Sequence, residues 1–194
     1  MAAFSFIEIM FVLGTAATVT GVAVPETLAT LDESRTGAAA RYVSARLQRA
    51  RMEAVNRSAS AALRFTALPD HYEFTSYLDG NRNGVLSRDI QAGVDRMLQP
   101  VDRLGDHFAG VEFGAAPGLP AVDPSSTAPG SDPIRLGSSD MVTFTSTGAS
   151  SSGSLYIRGR RGTQYVVRVY GETGKTRILK FNPGSGQWMP ASDL

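Results

Sequence analysis

Apolar and small residues run almost without interruption from Phe4 to Val24, broken by the single charge of Glu8. At about 1.5 Å of rise per residue, a helix over this stretch is long enough to cross a hydrocarbon layer of about 30 Å. Gly14 and Gly21, with Ser5, Thr15, Thr18 and Thr20, weaken its hydrophobicity and let other helices approach closely. Beyond Pro25 the pattern is again helical. Ala39, Val43, Leu47, Ala50 and Ala54 recur at three- and four-residue steps between Ser34 and Asn56. That spacing predicts an amphipathic helix whose apolar stripe packs on a sheet. The segment 25–58 therefore continues the segment 4–24 as one long helix, bent near Pro25.

After Arg57 the period changes to two. Ala61–Leu68 and His71–Leu78 read as strands around a Pro69-Asp70 turn. Val94–Val101 and Phe108–Phe113 are weaker strand candidates. Residues 114–140 are rich in Pro, Gly, Ser and Ala and read as one long loop. Four clear strands follow: Met141–Ser146, Ser154–Arg158, Gln164–Tyr170 and Thr176–Phe181. Hairpin loops fall at Gly159–Gly162 and Gly171–Gly174. The fold class these elements predict is α+β, a long N-terminal helix packed on a mostly antiparallel sheet. Residues 59–194 form the β-rich globular domain.

Composition narrows the functional classes only a little. The 194 residues carry a net charge of +1, so no global field draws the chain to nucleic acid. There is no cysteine, which removes a disulfide scaffold, a thiolate zinc site and a cysteine nucleophile. A secretory signal peptide would need a basic start and a shorter apolar run. A plain membrane anchor remains open beside the reading that follows.

The stretch Ala3-Phe4-Ser5-Phe6-Ile7-Glu8-Ile9-Met10 resembles the prepilin processing site of type IV pilins and type II secretion pseudopilins. The resemblance implies cleavage before Phe4 by a prepilin peptidase, methylation of the new amine, and an assembly role for Glu8 and Pro25. A carboxylate in such a span is costly unless partnered, and Glu8 can neutralise the Phe4 amine of a neighbouring subunit. Two departures stand out: Ala3 replaces the family's Gly, and Met1-Ala2-Ala3 lacks the leader's usual Lys or Arg. Residues 1–3 are accordingly read as a leader that continues upstream or is processed poorly.

Further along, Ala50-Arg51-Met52-Glu53-Ala54-Val55-Asn56-Arg57 is similar to the matching helix end of H-type pseudopilins and related minor pilins. Val142–Gly148, Gly153–Ile157, Val167–Tyr170 and Gly174–Arg177 are similar to that family's C-terminal strands. The resemblance implies a non-enzymatic subunit of a type II secretion pseudopilus. It would be held in the inner membrane by one span with a periplasmic domain, and would sit near the filament tip among other pilins. The alternative it leaves open is a minor type IV pilin that primes assembly or binds DNA.

Three other patterns bear on chemistry. Arg41, Arg46, Arg49, Arg51 and Arg57 populate the polar side of the second helical segment. They read as a solvated face, a subunit contact or a DNA phosphate strip, with Arg46, Arg49 and Arg51 as the candidate contacts. Asp79, Asn81 and Asn83 occupy the first, third and fifth positions of a calcium loop, Gly84 the sixth, and Val85 would offer its carbonyl. Ile90 stands where a bidentate Glu is needed, so the alternatives are a weak calcium site and a tight Asx turn. No other cofactor is expected. Gly174-Lys175-Thr176 lacks the earlier glycine of a phosphate-binding loop, since Val169 takes that place. The run Gly148–Gly153 has no strand–elbow–helix context for a serine nucleophile. His71 and His107 form no metal or triad pattern, and Trp188 is expected to close the core or pack on a neighbour.

Overall fold

A computed structural model of the chain describes residues 5–137 and 139–191, with the side chain of Val22 excepted. Helix α1 runs from Phe6 to Asn56 without a break. Pro25 lies inside it without ending it, although its missing N–H leaves one helical bond unmade. Ten strands and two short helices follow: β1 (Ala61–Ala67), β2 (Tyr72–Leu78), α2 (Ser87–Gln91), β3 (Arg96–Asp102), α3 (Leu104–His107), β4 (Glu112–Phe113), β5 (Ile134–Arg135), β6 (Met141–Phe144), β7 (Gly153–Arg158), β8 (Gln164–Tyr170), β9 (Lys175–Asn182) and β10 (Gln187–Pro190). The α+β class is therefore as the periodicity predicts.

The strands form two sheets where the sequence suggested one. The first has the order β3-β2-β1-β6 and the second β10-β9-β8-β7-β4, with β5 pairing on β7 as well. Every pairing among the described strands is antiparallel. Helix α1 packs on both sheets, meeting β1 and β6 of one and β7, β8 and β9 of the other. Its predicted stripe, Ala39, Val43, Leu47, Ala50 and Ala54, is buried at every position. Small Ala residues let the helix axis lie close to the sheets, while Val43 and Leu47 reach between Leu63, Phe74, Val142 and Val167 in one continuous core. Burying each such aliphatic side chain contributes about 1.5–3 kcal/mol.

Both sheets also bury part of their outer face. Ala62 and Met141, on the outer face of the first sheet, pack with Val85 and the partly buried Tyr77 and Ile90. On the outer face of the second, Tyr156, Val166 and Leu179 pack with Leu119, Phe181 and Trp188. Burial on two faces explains why Leu155-Tyr156-Ile157 and Val166-Val167 read as continuous apolar runs.

The stretch 114–140 is not free loop, as its composition suggested. Leu119 covers the second sheet, β5 pairs Ile134 with Leu155, and Arg168 Nε donates to Asp123 Oδ2 at 2.8 Å. Gly153 is required where β5 crosses β7, because a Cβ there would lie 2.4 Å from Leu136 Cδ2. Trp188 closes this outer cluster on β10, a strand the periodicity did not predict, and its Nε1 donates to Pro120 O at 3.1 Å.

Candidate functional site

The candidate site is α1 itself and the way it is held. From Phe6 to Leu31 the described side chains are exposed, whereas from Asp32 onward the helix is progressively built into the domain. A helix this long and this apolar at its start is sufficient to cross a membrane. Its hydroxyls are satisfied internally. Thr15, Thr18, Thr20, Thr27 and Thr30 each donate back to the carbonyl four residues earlier at 2.8–3.0 Å. Such a segment needs no water for its side chains, as a lipid environment demands.

Glu8 and Glu26 are the exceptions, and of the two only Glu8 falls within the apolar stretch 4–24. It lies in the first turn of α1, where the helix dipole favours an anion. Among the described residues it has no ion pair and no side-chain hydrogen bond. A lone carboxylate on an apolar helix calls for a counter-charge from elsewhere. Ala3 and Phe4, the processing pair, lie outside the described residues. Pro25 is exposed within α1.

Where α1 enters the domain, two side chains, Asp32 and Glu33, tie it to the second sheet and its hairpin. Asp32 is buried, and its Oδ2 accepts from Thr163 Oγ1 at 2.8 Å and from the Arg161 N–H at 3.2 Å. Glu33 pairs with Lys180 on β9. Thr36 is fully buried and donates to Asp32 O at 2.6 Å. Gly159, in the β7–β8 hairpin, lies against this part of α1 so closely that a Cβ would be 2.3 Å from Thr36 Oγ1. None of this was visible in the sequence, because the partners lie 129 and 131 residues from Asp32.

The basic face is not one strip. Arg46 turns inward, 3.7 Å from Asp102 Oδ2, with its guanidinium over the rings of Phe74 and Tyr42. Arg51 turns the other way and donates from Nε to Gly148 O at 2.9 Å. Only Arg49 of the three is exposed. The three candidate contacts therefore differ in setting, because long side chains can lay their stems on apolar surface while the charged head finds a partner. Asp102 gathers Arg46, the Tyr42 hydroxyl and His107 Nε2, the last at 2.8 Å. Burial pushes its carboxyl upward, but the hydrogen bonds from Tyr42 and His107 and the charge of Arg46 outweigh that and hold it below the usual range. Burial, then the bond to Asp102, raises the Tyr42 hydroxyl. His71 lies between Asp70 and Glu73, at 2.6 and 3.4 Å.

The 79–84 stretch is organised as an Asx turn. Asp79 Oδ1 accepts the N–H groups of Asn81 and Arg82 at 3.1 and 2.7 Å, and Oδ2 that of Gly84 at 2.8 Å. Gly84 takes φ +89°, which a side chain would strain. Asp95 closes the loop from outside, accepting from Gly80 and Leu86 at 3.1 and 2.9 Å. Asn83 donates to Asp89 at 2.8 Å rather than turning inward. Val85 is buried against the first sheet. Among the described residues no three His, Asp or Glu side chains converge as a metal site. The donor set therefore fits the turn better than a cation.

No family model, curated protein or solved structure matches the chain.

Proposed function

We propose that this protein is a pilin-like assembly subunit, acting through its N-terminal helix rather than through a reaction. The observation that carries the reading is α1: one continuous helix whose apolar first part stands clear of the domain and bears Glu8, which has no partner among the described residues. Its second part is the core of that domain. A subunit built this way transmits the position of its span directly to its soluble face. The likeness of the Phe4–Met10 stretch to a prepilin processing site supplies the counter-charge, the amine of Phe4 on a neighbouring subunit.

In this reading the span anchors the chain in the inner membrane with the domain in the periplasm, and the subunit serves a type II secretion pseudopilus. A minor type IV pilin is the second member of the same class. Arg46 and Arg51 are half-buried and engaged with Asp102 and Gly148 of their own domain, so this reading places no DNA-binding role on that helix.

The absence of cysteine allows a direct test. A single cysteine placed at Val12, in membranes whose partner pilins carry one cysteine engineered in their own apolar helix, should form a disulfide with it on oxidation by copper phenanthroline. Glu8→Gln should reduce that yield about tenfold, in line with loss of a buried ion pair. Equal yields from both chains would remove Glu8 from assembly.

A further inference from the structure

A cleft of about 570 Å³ opens between the start of β2 and the β4–β7 edge of the second sheet. Three arginines from separate elements border it: Arg103 before α3, Arg158 at the end of β7, and Arg160 in the β7–β8 hairpin. Among the described residues none of their guanidinium groups has an ion pair or a hydrogen bond. The nearby carboxylates Asp70 and Glu73 are engaged by His71 instead. Among the described residues that line the cleft Glu112 is the one carboxylate, leaving an excess of positive charge.

Each arginine lies across a glycine. A Cβ on Gly105 would be 3.4 Å from Arg103 Nε, one on Gly110 would be 3.1 Å from Arg160 Cβ, and one on Gly114 would be 3.2 Å from Arg158 Cβ. The absence of side chains at these points lets the three stems lie along the wall of the cleft. Among them the lining includes the half-buried Tyr72 and the edges of the buried Val111 and Phe113.

We infer that this cleft is a docking site for an acidic peptide segment of a partner protein, with carboxylates on the arginines and an apolar side chain against the wall. Arginine's planar fork pairs carboxylates in bidentate fashion, and rim charge of one sign selects a partner of the other. The volume is far larger than a single small anion needs. The apolar side chains among the lining, Tyr72, Val111 and Phe113, suit a peptide with an apolar residue better than a phosphodiester backbone, which has none to offer them. The inference does not depend on how the helix assembles.

The test uses the full chain in a zwitterionic detergent and a fluorescein-labelled peptide of sequence Glu-Leu-Glu-Glu-Leu-Glu, read by anisotropy. Its Gln-for-Glu counterpart and a labelled single-stranded oligonucleotide serve as comparison probes. The acidic peptide should bind, and the triple variant Arg103→Gln, Arg158→Gln, Arg160→Gln should bind it about tenfold more weakly. Glu112→Gln should tighten binding about threefold by removing like charge. Should the triple variant not fold, as judged by circular dichroism, Arg160→Gln alone should weaken binding about threefold, since its side chain is exposed. Equal binding by the triple variant, or equal binding of the Gln peptide, overturns the proposal. Arginine-dependent binding of the oligonucleotide without the peptide also overturns it, and assigns the cleft to nucleic acid.

Discussion

Asp32 Oδ2 accepts a hydrogen bond of 2.8 Å from Thr163 Oγ1, joining the exit of α1 to the β7–β8 hairpin. The same oxygen accepts the Arg161 N–H. Among the described residues of α1, Asp32 is the first that is buried. Asp32→Ala leaves both donors without their acceptor and should cost about 1–3 kcal/mol. Asp32→Asn keeps one acceptor oxygen and should cost about 1 kcal/mol. Urea unfolding of the full chain in detergent reads both, and equal stability of Asp32→Ala and the parent would show the tie to be incidental.

Gly159 is the steric counterpart of that tie. A methyl group there would lie 2.3 Å from Thr36 Oγ1 and 2.6 Å from Asp32 Oδ2, both on α1. Gly159→Ala should therefore push the helix from the hairpin and cost about 1–3 kcal/mol by overpacking. A melting temperature unchanged by the substitution would mean that the two elements separate freely.

Arg46 and Asp102 should respond asymmetrically. Arg46 Nε and Nη2 are buried without a hydrogen bond, and Asp102 lies 3.7 Å away. Asp102→Ala strands a buried cation and should cost about 3–5 kcal/mol, whereas Arg46→Met keeps the packing on Phe74 and should change stability by about 1 kcal/mol or less. If the two variants prove equally destabilised, the pair is a stabilising salt bridge rather than a tolerated one.

Acid should weaken the domain through two carboxyls. Asp102 and Asp123 are both held below their ordinary range: burial alone would raise them, but for Asp102 the bonds from Tyr42 and His107, and for Asp123 those from Ser125 and Arg168, prevail. A lowered folded-state value means that the stabilisation is complete above the unfolded value of about 3.9 and is lost as pH falls through the lower folded value. Melting temperatures measured from about pH 7 to about pH 2.5 should fall mainly below about pH 4, and less steeply in Asp102→Asn. An equally steep fall in that variant would assign the acid sensitivity elsewhere.

Asp79 should behave as a turn-former. Asp79→Ala deprives three backbone N–H groups of their acceptor and should cost about 2–3 kcal/mol. Millimolar calcium should leave the melting temperature of the parent within about 1 °C. A rise with calcium that Asp79→Ala abolishes would reassign the loop as a cation site.

The helix and most strands were legible because one repeating feature declared each. The stripe Ala39, Val43, Leu47, Ala50 and Ala54 has the period of a helix face, and β1 and β2 alternate as half-buried strands do. The division into two sheets was not legible, since it depends on β6 pairing with β1 and β7 with β8, and nothing in either strand's own pattern encodes its partner. The two-residue strands β4 and β5 are too short to show a period. Of the candidate site, Glu8 was legible as a charge in an apolar run. Asp32 was not, as one aspartate on a polar stretch of helix carries no sign of its distant hairpin. Charge alone did not show which way Arg46 and Arg51 lie, since that depends on distant partners, Asp102 and Gly148.

The central claim, that α1 is the assembly element of a processed pilin-like subunit, rests on Phe4 acquiring a free amine. The most direct test is the intact and N-terminal peptide mass of the protein taken from membranes that contain a prepilin peptidase. The account predicts a mature chain that begins at Phe4 with a methylated amine. A chain that retains Met1-Ala2-Ala3 in the presence of active peptidase would contradict it, and would leave α1 as a plain membrane anchor for an α+β domain.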